Sequence, residues 1–380
     1  MKKSLTYLSS FSLIFFGAFS AQAASKYSSS LYGQFPNISG QVLFELKADR
    51  IDSDQASGTS PNNAYINIEP DFSFNFTKNW SVKTGWRLYP TSTITTRDSV
   101  HPERTRTFFI ADRGFKPQDT TIIVEELKLD YQADDLRFFA GKFNPSFGKA
   151  YTKAKRIGVF VTDITEDYEL REKIGAGVSA ELASSKISAN TFFNDTTGLS
   201  GSINGRGTES RDNGLAGNTG AFSSYAFTME GERFFGVNNW SYNVGYRKLG
   251  VDTSISQRAN ETGYVLGTEY LIKTGYRTSV TPFFEMAKIS NFTGAKDRDA
   301  TYTTLALLGK YGNWTSSISN VTRNIDKYQA VAKVKDRQVQ ISAGYKFANN
   351  IALDVSRADI REGANTGILY GVMASYLYKF

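Results

Sequence analysis

The chain has 380 residues, of which 40% are hydrophobic, 14% aromatic and 21% charged; it carries a formal net charge of +7, one His and no Cys. Zero Cys excludes disulfides, thiolate nucleophiles and Cys-ligated zinc or iron–sulfur centres, a single His excludes a multi-His metal centre, and a mean hydropathy of −0.35 argues against helical membrane spans. An excess of 28 Phe and 21 Tyr beside 32 Gly and only 8 Pro points instead to many strands whose two faces differ.

The first predicted element is an export signal over residues 1–23. Lys2 and Lys3 form a positive start, Leu5 to Phe19 is mostly apolar, and Ala21-Gln22-Ala23 is a small-x-small cleavage site, so the mature domain is expected to span 24–380. The other reading, a retained anchor, is disfavoured because the apolar stretch is too short to span a bilayer. Loss of the two lysines lowers the net charge from +7 to +5. No later stretch of about 20 apolar residues follows, so an exported chain is periplasmic, secreted or an outer-membrane barrel.

Period-two patterning then recurs along the chain. Val42, Phe44, Leu46 and Ala48 alternate with Leu43, Glu45, Lys47 and Asp49. Ile66, Ile68, Phe72, Phe74 and Phe76 alternate with Asn67, Glu69, Asp71, Ser73 and Asn75. Val82, Trp86 and Leu88 oppose Lys83, Gly85 and Arg87, and Ile123, Leu127, Leu129 and Tyr131 oppose Glu126, Lys128 and Asp130. Ile174 to Leu182 and Val339 to Phe347 alternate in the same way. This parity predicts an inner wall with Lys47, Lys83, Arg87, Lys128 and Arg137, mixed with Glu45, Glu69 and Glu126.

The connections alternate as well. Short turns fall at Lys78-Asn79, Ala133–Asp135, Ala183–Ser185, Phe234–Asn239, Lys273–Gly275, Gly312-Asn313 and Ala348–Asn350. Longer polar segments fall near 51–62, 91–120, 144–171, 196–218, 249–261, 289–299, 326–335 and 361–366. Short turns at one end and long loops at the other predict an all-β transmembrane antiparallel barrel of about sixteen strands. Soluble sandwiches and propellers also alternate, but do not sort their turns this way. Trp80, Trp86, Trp240, Tyr311, Trp314 and Tyr376 near strand ends fit two interfacial girdles.

The third long segment is divided by charge. Lys149, Lys153, Lys155 and Arg156 make a basic first half, and Asp163, Glu166, Asp167, Glu169 and Glu172 an acidic second half interrupted by Arg171. Such a segment cannot lie in lipid; it belongs in a water-filled lumen or outside the barrel.

The last strand reads ILYGVMASYLYKF, with Ile368, Tyr370, Val372, Ala374, Tyr376, Tyr378 and Phe380 on one face. With this ending, and with Asn144-Pro145-Ser146-Phe147-Gly148 opening the third loop, the chain resembles the general sixteen-stranded porins of Gram-negative outer membranes. The resemblance implies that Tyr376, Tyr378 and Phe380 form the signal read by the barrel assembly machinery. It implies a third loop folded into the barrel and narrowing the pore, with Lys153, Arg156, Asp163, Glu166, Asp167 and Glu169 facing Lys47, Lys83, Arg87, Lys128 and Arg137. It also implies a homotrimer among outer-membrane lipid and lipopolysaccharide.

Other chemistry is weak. His101 stands in a long loop before Pro102 and makes a poor catalytic base, so no enzyme activity is expected. Asp49, Asp52 and Asp54, or Asp297 and Asp299, are more often solvated loop charges than a cation site, and no metal or other cofactor is expected. Basic residues are scattered among acids, which disfavours nucleic acid as a partner, and Gly175-Ala176-Gly177 is a strand pair rather than a phosphate loop. The expected function is passive diffusion of small hydrophilic solutes and ions. Two rivals stay open: a substrate-selective channel for anions such as phosphate or for sugars, which inward Phe139, Phe192 and Phe283 would favour, and a non-channel structural or adhesive barrel.

Overall fold

The computed structural model describes residues 11–12, 35–53, 62–90, 96–97, 105–106, 120–153, 156–157, 164–200, 213–328, 331–363 and 365–380. Except for Phe11–Ser12, the expected signal peptide lies outside these residues, as do His101 and Asp54.

Among the described residues sixteen antiparallel strands form one closed barrel. They are β1 (Asn37–Ser53), β2 (Asn62–Asn75), β3 (Trp80–Pro90), β4 (Thr120–Ala133), β5 (Leu136–Phe143), β6 (Lys173–Leu182), β7 (Ser185–Asn194) and β8 (Ser224–Glu232). There follow β9 (Trp240–Leu249), β10 (Glu261–Tyr270), β11 (Thr278–Ser290), β12 (Ala300–Tyr311), β13 (Trp314–Tyr328), β14 (Val331–Lys346), β15 (Ile351–Glu362) and β16 (Asn365–Lys379). Each strand pairs with its neighbours in sequence, and β16 returns to β1 with Gln41 opposite Lys379 and Ser53 opposite Gly367. Beyond that register, Gly40 and Phe380 exchange backbone hydrogen bonds of 3.0 and 3.1 Å. Closure leaves no edge strand, so backbone groups at membrane depth are paired within the wall.

The period-two reading sets which face is wet. Phe44, Leu46, Ile66, Leu129, Phe138, Leu266, Leu305 and Ile341 are exposed on the outside, while Glu45, Lys47, Asn67, Asp130, Glu285 and Gln340 are buried inside. Aromatic rings collect beside the short turns, with Trp80 on Tyr131 at 4.6 Å, Trp314 on Tyr345 at 4.8 Å and Phe72 beside Phe380 at 5.8 Å between ring centroids. A second group at the long-loop end contains Tyr225, Tyr246 and Tyr264, the last pair 5.1 Å apart. Amphipathic rings favour the two headgroup levels, which places the barrel across a bilayer.

Three sequence expectations need correction. Ile123 does not share the outer face with Leu127 and Leu129. A bulge pairs Gly85 with Glu126 but Trp86 with Val124, and the extra residue Glu125 shifts the parity, so Ile123 turns inward and is buried. The expected loop at 326–335 is mostly strand: Asp326 pairs with Lys333 and Tyr328 with Val331. Strands that project beyond the bilayer have two polar faces and so read as loop. Asp49 is buried on the lumen side, whereas Asp52 lies on the other face with Arg50 at 2.9 Å, so these two cannot share one cation.

Candidate pore lining and the third loop

Between β5 and β6 the described residues 144–153 and 164–172 leave the wall and dock on strands far round the ring. Gly148 makes the turn possible: its φ is +79°, and an added Cβ would sit 2.8 Å from the Tyr168 ring and 2.9 Å from Glu285 Oε1. A short helix, α1 (Ala150–Lys153), follows. Its first amides meet Glu285 of β11: the Lys149 N–H donates to Oε2 at 2.6 Å and the Ala150 N–H to Oε1 at 2.9 Å. Tyr168 Oη donates to Oε1 at 2.9 Å and Asn243 Nδ2 to Oε2 at 3.0 Å. Four donors thus satisfy one fully buried carboxylate, which also complements the positive end of the helix.

A second anchor lies on β13. Arg323 is wholly buried and pairs with Asp167 of the loop, with Asp336 of β14 at 2.7 Å and with Glu362 of β15 at 3.1 Å. Tyr302 Oη also donates to Asp167 at 3.0 Å. On β9, Arg247 donates to the Tyr168 carbonyl at 2.5 Å, pairs with Glu261 at 2.6 Å and stacks on Phe147 at 4.6 Å. At the rim Lys149 pairs with Glu230, and Lys153 with Glu269 at 2.5 Å. Around these bonds Phe147, Ile164, Tyr168 and Leu170 pack on Phe192, Val265, Phe283, Ile289, Tyr302 and Val321 of the wall. Burial of each large apolar loop side chain contributes on the order of 1.5–3 kcal/mol.

The inner wall is therefore of two kinds. From β7 to β13 apolar side chains such as Phe192, Val265, Phe283 and Val321 pack under the loop, with the charged anchors Arg247, Glu285 and Arg323 among them. From β3 to β5 it carries charges that reach water. Lys83 pairs with Asp130 at 3.3 Å, Arg137 with Asp130 at 2.5 Å, and Lys128 with Glu126 at 2.8 Å. Arg87 bridges Glu69 and Glu125, each at 3.2 Å. From the loop, Arg171 pairs with Glu169 at 2.7 Å and Glu166 at 3.4 Å and lies 4.3 Å over Tyr151. Burial opposes its charge, but Glu169, Glu166 and the wall's Glu125 outweigh this and hold the guanidinium above its ordinary pKa.

The sequence-predicted residues thus separate by environment. Lys83, Arg87, Lys128 and Arg137 share the β3–β5 wall, and Glu166 and Glu169 stand on the loop with Arg171. Lys47 is fully buried beside Glu45, and Asp167 is buried in the Arg323 anchor. Lys153 is tied to β10, while Asp163 and the Arg156 side chain lie outside the described residues. Phe139, Phe192 and Phe283 all turn inward, Phe139 half-buried with Lys128 and Arg137 each 5.7 Å from its ring.

Sequence reasoning missed Glu285, Arg323, Arg247 and Lys142. Lys142 is buried between Glu172 at 2.9 Å and Asp195 at 2.7 Å. A signal existed for the first two: Glu285 is a lone carboxylate among Phe283, Ala287 and Ile289 on its face, and Arg323 a lone cation between Val321 and Ile325. A single charge within an apolar inward row requires a partner from elsewhere in the lumen.

No protein-family model matches the chain, and no curated protein matches it in sequence. Solved structures do match in fold. The outer membrane channel DcaP of Acinetobacter baumannii superposes with a TM-score of 0.59 at 14% identity, over 90% of this chain and 96% of that one. Pseudomonas aeruginosa OpdK, solved with vanillate, gives 0.55 at 8% identity, and OccK9 (OpdG) of the same organism 0.54 at 9%, each over 90% of this chain and 99% of the other. In fold, then, the chain is a closed sixteen-stranded antiparallel β-barrel similar to these solved outer-membrane channels.

Proposed function

We propose that the chain is an outer-membrane channel in which small hydrophilic solutes and ions diffuse passively, narrowed by residues 144–172. The observation that carries this reading is the two-sided lumen. The third loop docks on the β7–β13 wall through Glu285, Arg323 and the apolar side chains around them, which leaves the charged β3–β5 wall as the aqueous side. Lys83, Arg87, Lys128 and Arg137 then face Glu166, Glu169 and Arg171 across the passage. Charges of both signs around a narrow, low-dielectric opening hold a transverse field that favours small polar solutes over apolar ones. Electrodiffusion needs no energy coupling and no cofactor. A homotrimer, and a terminal assembly signal at Tyr376, Tyr378 and Phe380, belong to the same reading.

The test is single-channel recording in planar bilayers, with the reversal potential measured in a salt gradient. Steady ohmic conductance is expected. A barrel closed at every voltage and pH would leave only a structural or adhesive role. A substrate-selective channel is the second reading, favoured by Phe139 between Lys128 and Arg137 on the inner wall; saturable block of conductance by one class of solute would support it.

A further inference from the structure

Three inward glycines meet on the wall beside the charged strands. Gly141 of β5 is the register partner of Gly175 of β6, and Gly177 stands opposite Phe139 of β5 and Asn190 of β7. Glycine weakens a strand interior, so each position calls for a cause. At Gly141 and Gly175 the cause lies in the main chain. An added Cβ would strike the neighbouring strand, at the Leu127 carbonyl and 2.8 Å from Lys128 Cα in the first case, and at the Thr191 carbonyl and 2.8 Å from Phe192 Cα in the second. Gly141 also has a φ of +134°.

Gly177 is of another kind. Its backbone is ordinary extended strand. A Cβ there would lie 2.8 Å from Phe139 Cε2 and closer still to Phe139 Cζ and Asn190 Oδ1, all of them side-chain tips. The Phe139 ring thus lies across the bare Cα of Gly177. Carbon atoms in contact sit about 3.5–4.0 Å apart, so with Ala at this position the ring has to retreat by about 1 Å or more. Toward the long loops its way is blocked by buried Phe143, packed edge-on at 4.9 Å. The open direction is toward the barrel axis, past Lys128 and Arg137, each 5.7 Å from the ring.

We infer that Gly177 is a positioning residue for the passage: it lets the Phe139 ring lie back against the wall and so sets the width of the lumen beside Lys128 and Arg137. The inference rests on the channel reading above. Filling the glycine displaces side-chain tips and leaves the strand pairing of β5, β6 and β7 in place, so the barrel folds and only its bore changes.

The test uses the full chain. In planar bilayers, Gly177→Val is expected to lower the single-channel conductance about twofold or more, and Gly177→Ala to lower it less. Phe139→Ala should raise the conductance, and Phe139→Ala with Gly177→Val should recover at least the wild-type value, because the displaced ring is gone. Ala180→Val adds bulk to the lipid face of the same strand, between exposed Leu136 and Ile187, and should leave conductance unchanged. The ring is also followed without reference to conduction, by fluorine NMR of 4-fluorophenylalanine incorporated at position 139. A water-soluble paramagnet should broaden its resonance more in Gly177→Val than in the wild-type background. Should Gly177→Val fold poorly, Gly177→Ala carries both comparisons. A wild-type barrel that never conducts would end the channel reading, and the fluorine signal would still decide whether the glycine places the ring. Equal broadening in both backgrounds, or a conductance loss in Gly177→Val that persists when Phe139 is removed, would overturn the inference.

Discussion

Glu285→Gln tests whether one wall carboxylate positions the third loop. Each Glu285 oxygen accepts two hydrogen bonds, one from a loop amide and one from a side chain. An amide has a single oxygen, so whichever way Gln is turned, one loop N–H loses its acceptor and meets an NH2 group, while the side-chain partner on that side, the Tyr168 hydroxyl or the Asn243 amide, has to turn round to accept from it. A buried donor left unpaired costs roughly 1–3 kcal/mol, and turning its side-chain neighbour adds to that, so the substitution should cost about 3 kcal/mol at the head of α1. Three kcal/mol multiplies the undocked population about 150-fold. The Arg323 anchor and the apolar packing should keep the barrel folded, so the effect is local. Hydrogen exchange of the Lys149 and Ala150 amides should accelerate by about two orders of magnitude, and single-channel records should show larger and noisier conductance. Glu269→Gln, at the partly exposed pair with Lys153, is the control and should cost less than about 1 kcal/mol. Unchanged exchange and unchanged conductance in Glu285→Gln would refute the view that this carboxylate holds the loop.

Gly148→Ala should phenocopy that variant, because its Cβ would strike both Tyr168 and Glu285 at a φ of +79°; the double variant should be less than additive, and full additivity would separate the two residues. Arg323→Met leaves Asp167, Asp336 and Glu362 without their shared buried cation, and should cost at least about 3–5 kcal/mol, seen as a lower unfolding temperature in detergent; a neutral result would argue that the cluster contributes nothing to docking. Lys83→Gln with Arg87→Gln should move the reversal potential toward cation preference, since both side chains reach water on the β3–β5 wall; no movement would remove them from the passage. Phe380→Ala deletes the ring beside Phe72 and should lower the yield of assembled barrel in the outer membrane without altering the conductance of the channels that do assemble.

Much of the barrel was legible in the chain because lipid and water impose opposite demands on alternate residues. Phe44, Leu46, Glu45 and Lys47 of β1 show the sorting plainly, and so does the terminal strand from Ile368 to Phe380. Where parity failed, at Ile123, the cause was a one-residue bulge that no composition signal marks. The wall charges Lys83, Arg87, Lys128 and Arg137 were readable for the same reason as the strands, since they only had to face inward. Their partners were not: Arg87 joins Glu69 on β2 to Glu125 on β4 through a register that depends on that bulge.

The sequence by itself determined strand parity, the alternation of short turns with long loops, and the aromatic girdles, because each rests on residues close together in the chain. Only the tertiary structure decided where the third loop docks. Its anchors join Lys149 and Ala150 to Glu285, and Asp167 to Arg323, across separations of 136, 135 and 156 residues. A local pattern shows that Asp167 and Arg323 are charged; it does not show that ring closure brings them within hydrogen-bonding reach. That pairing makes Asp167, which parity and charge alone mark as an acid for the pore, a buried anchor of the loop.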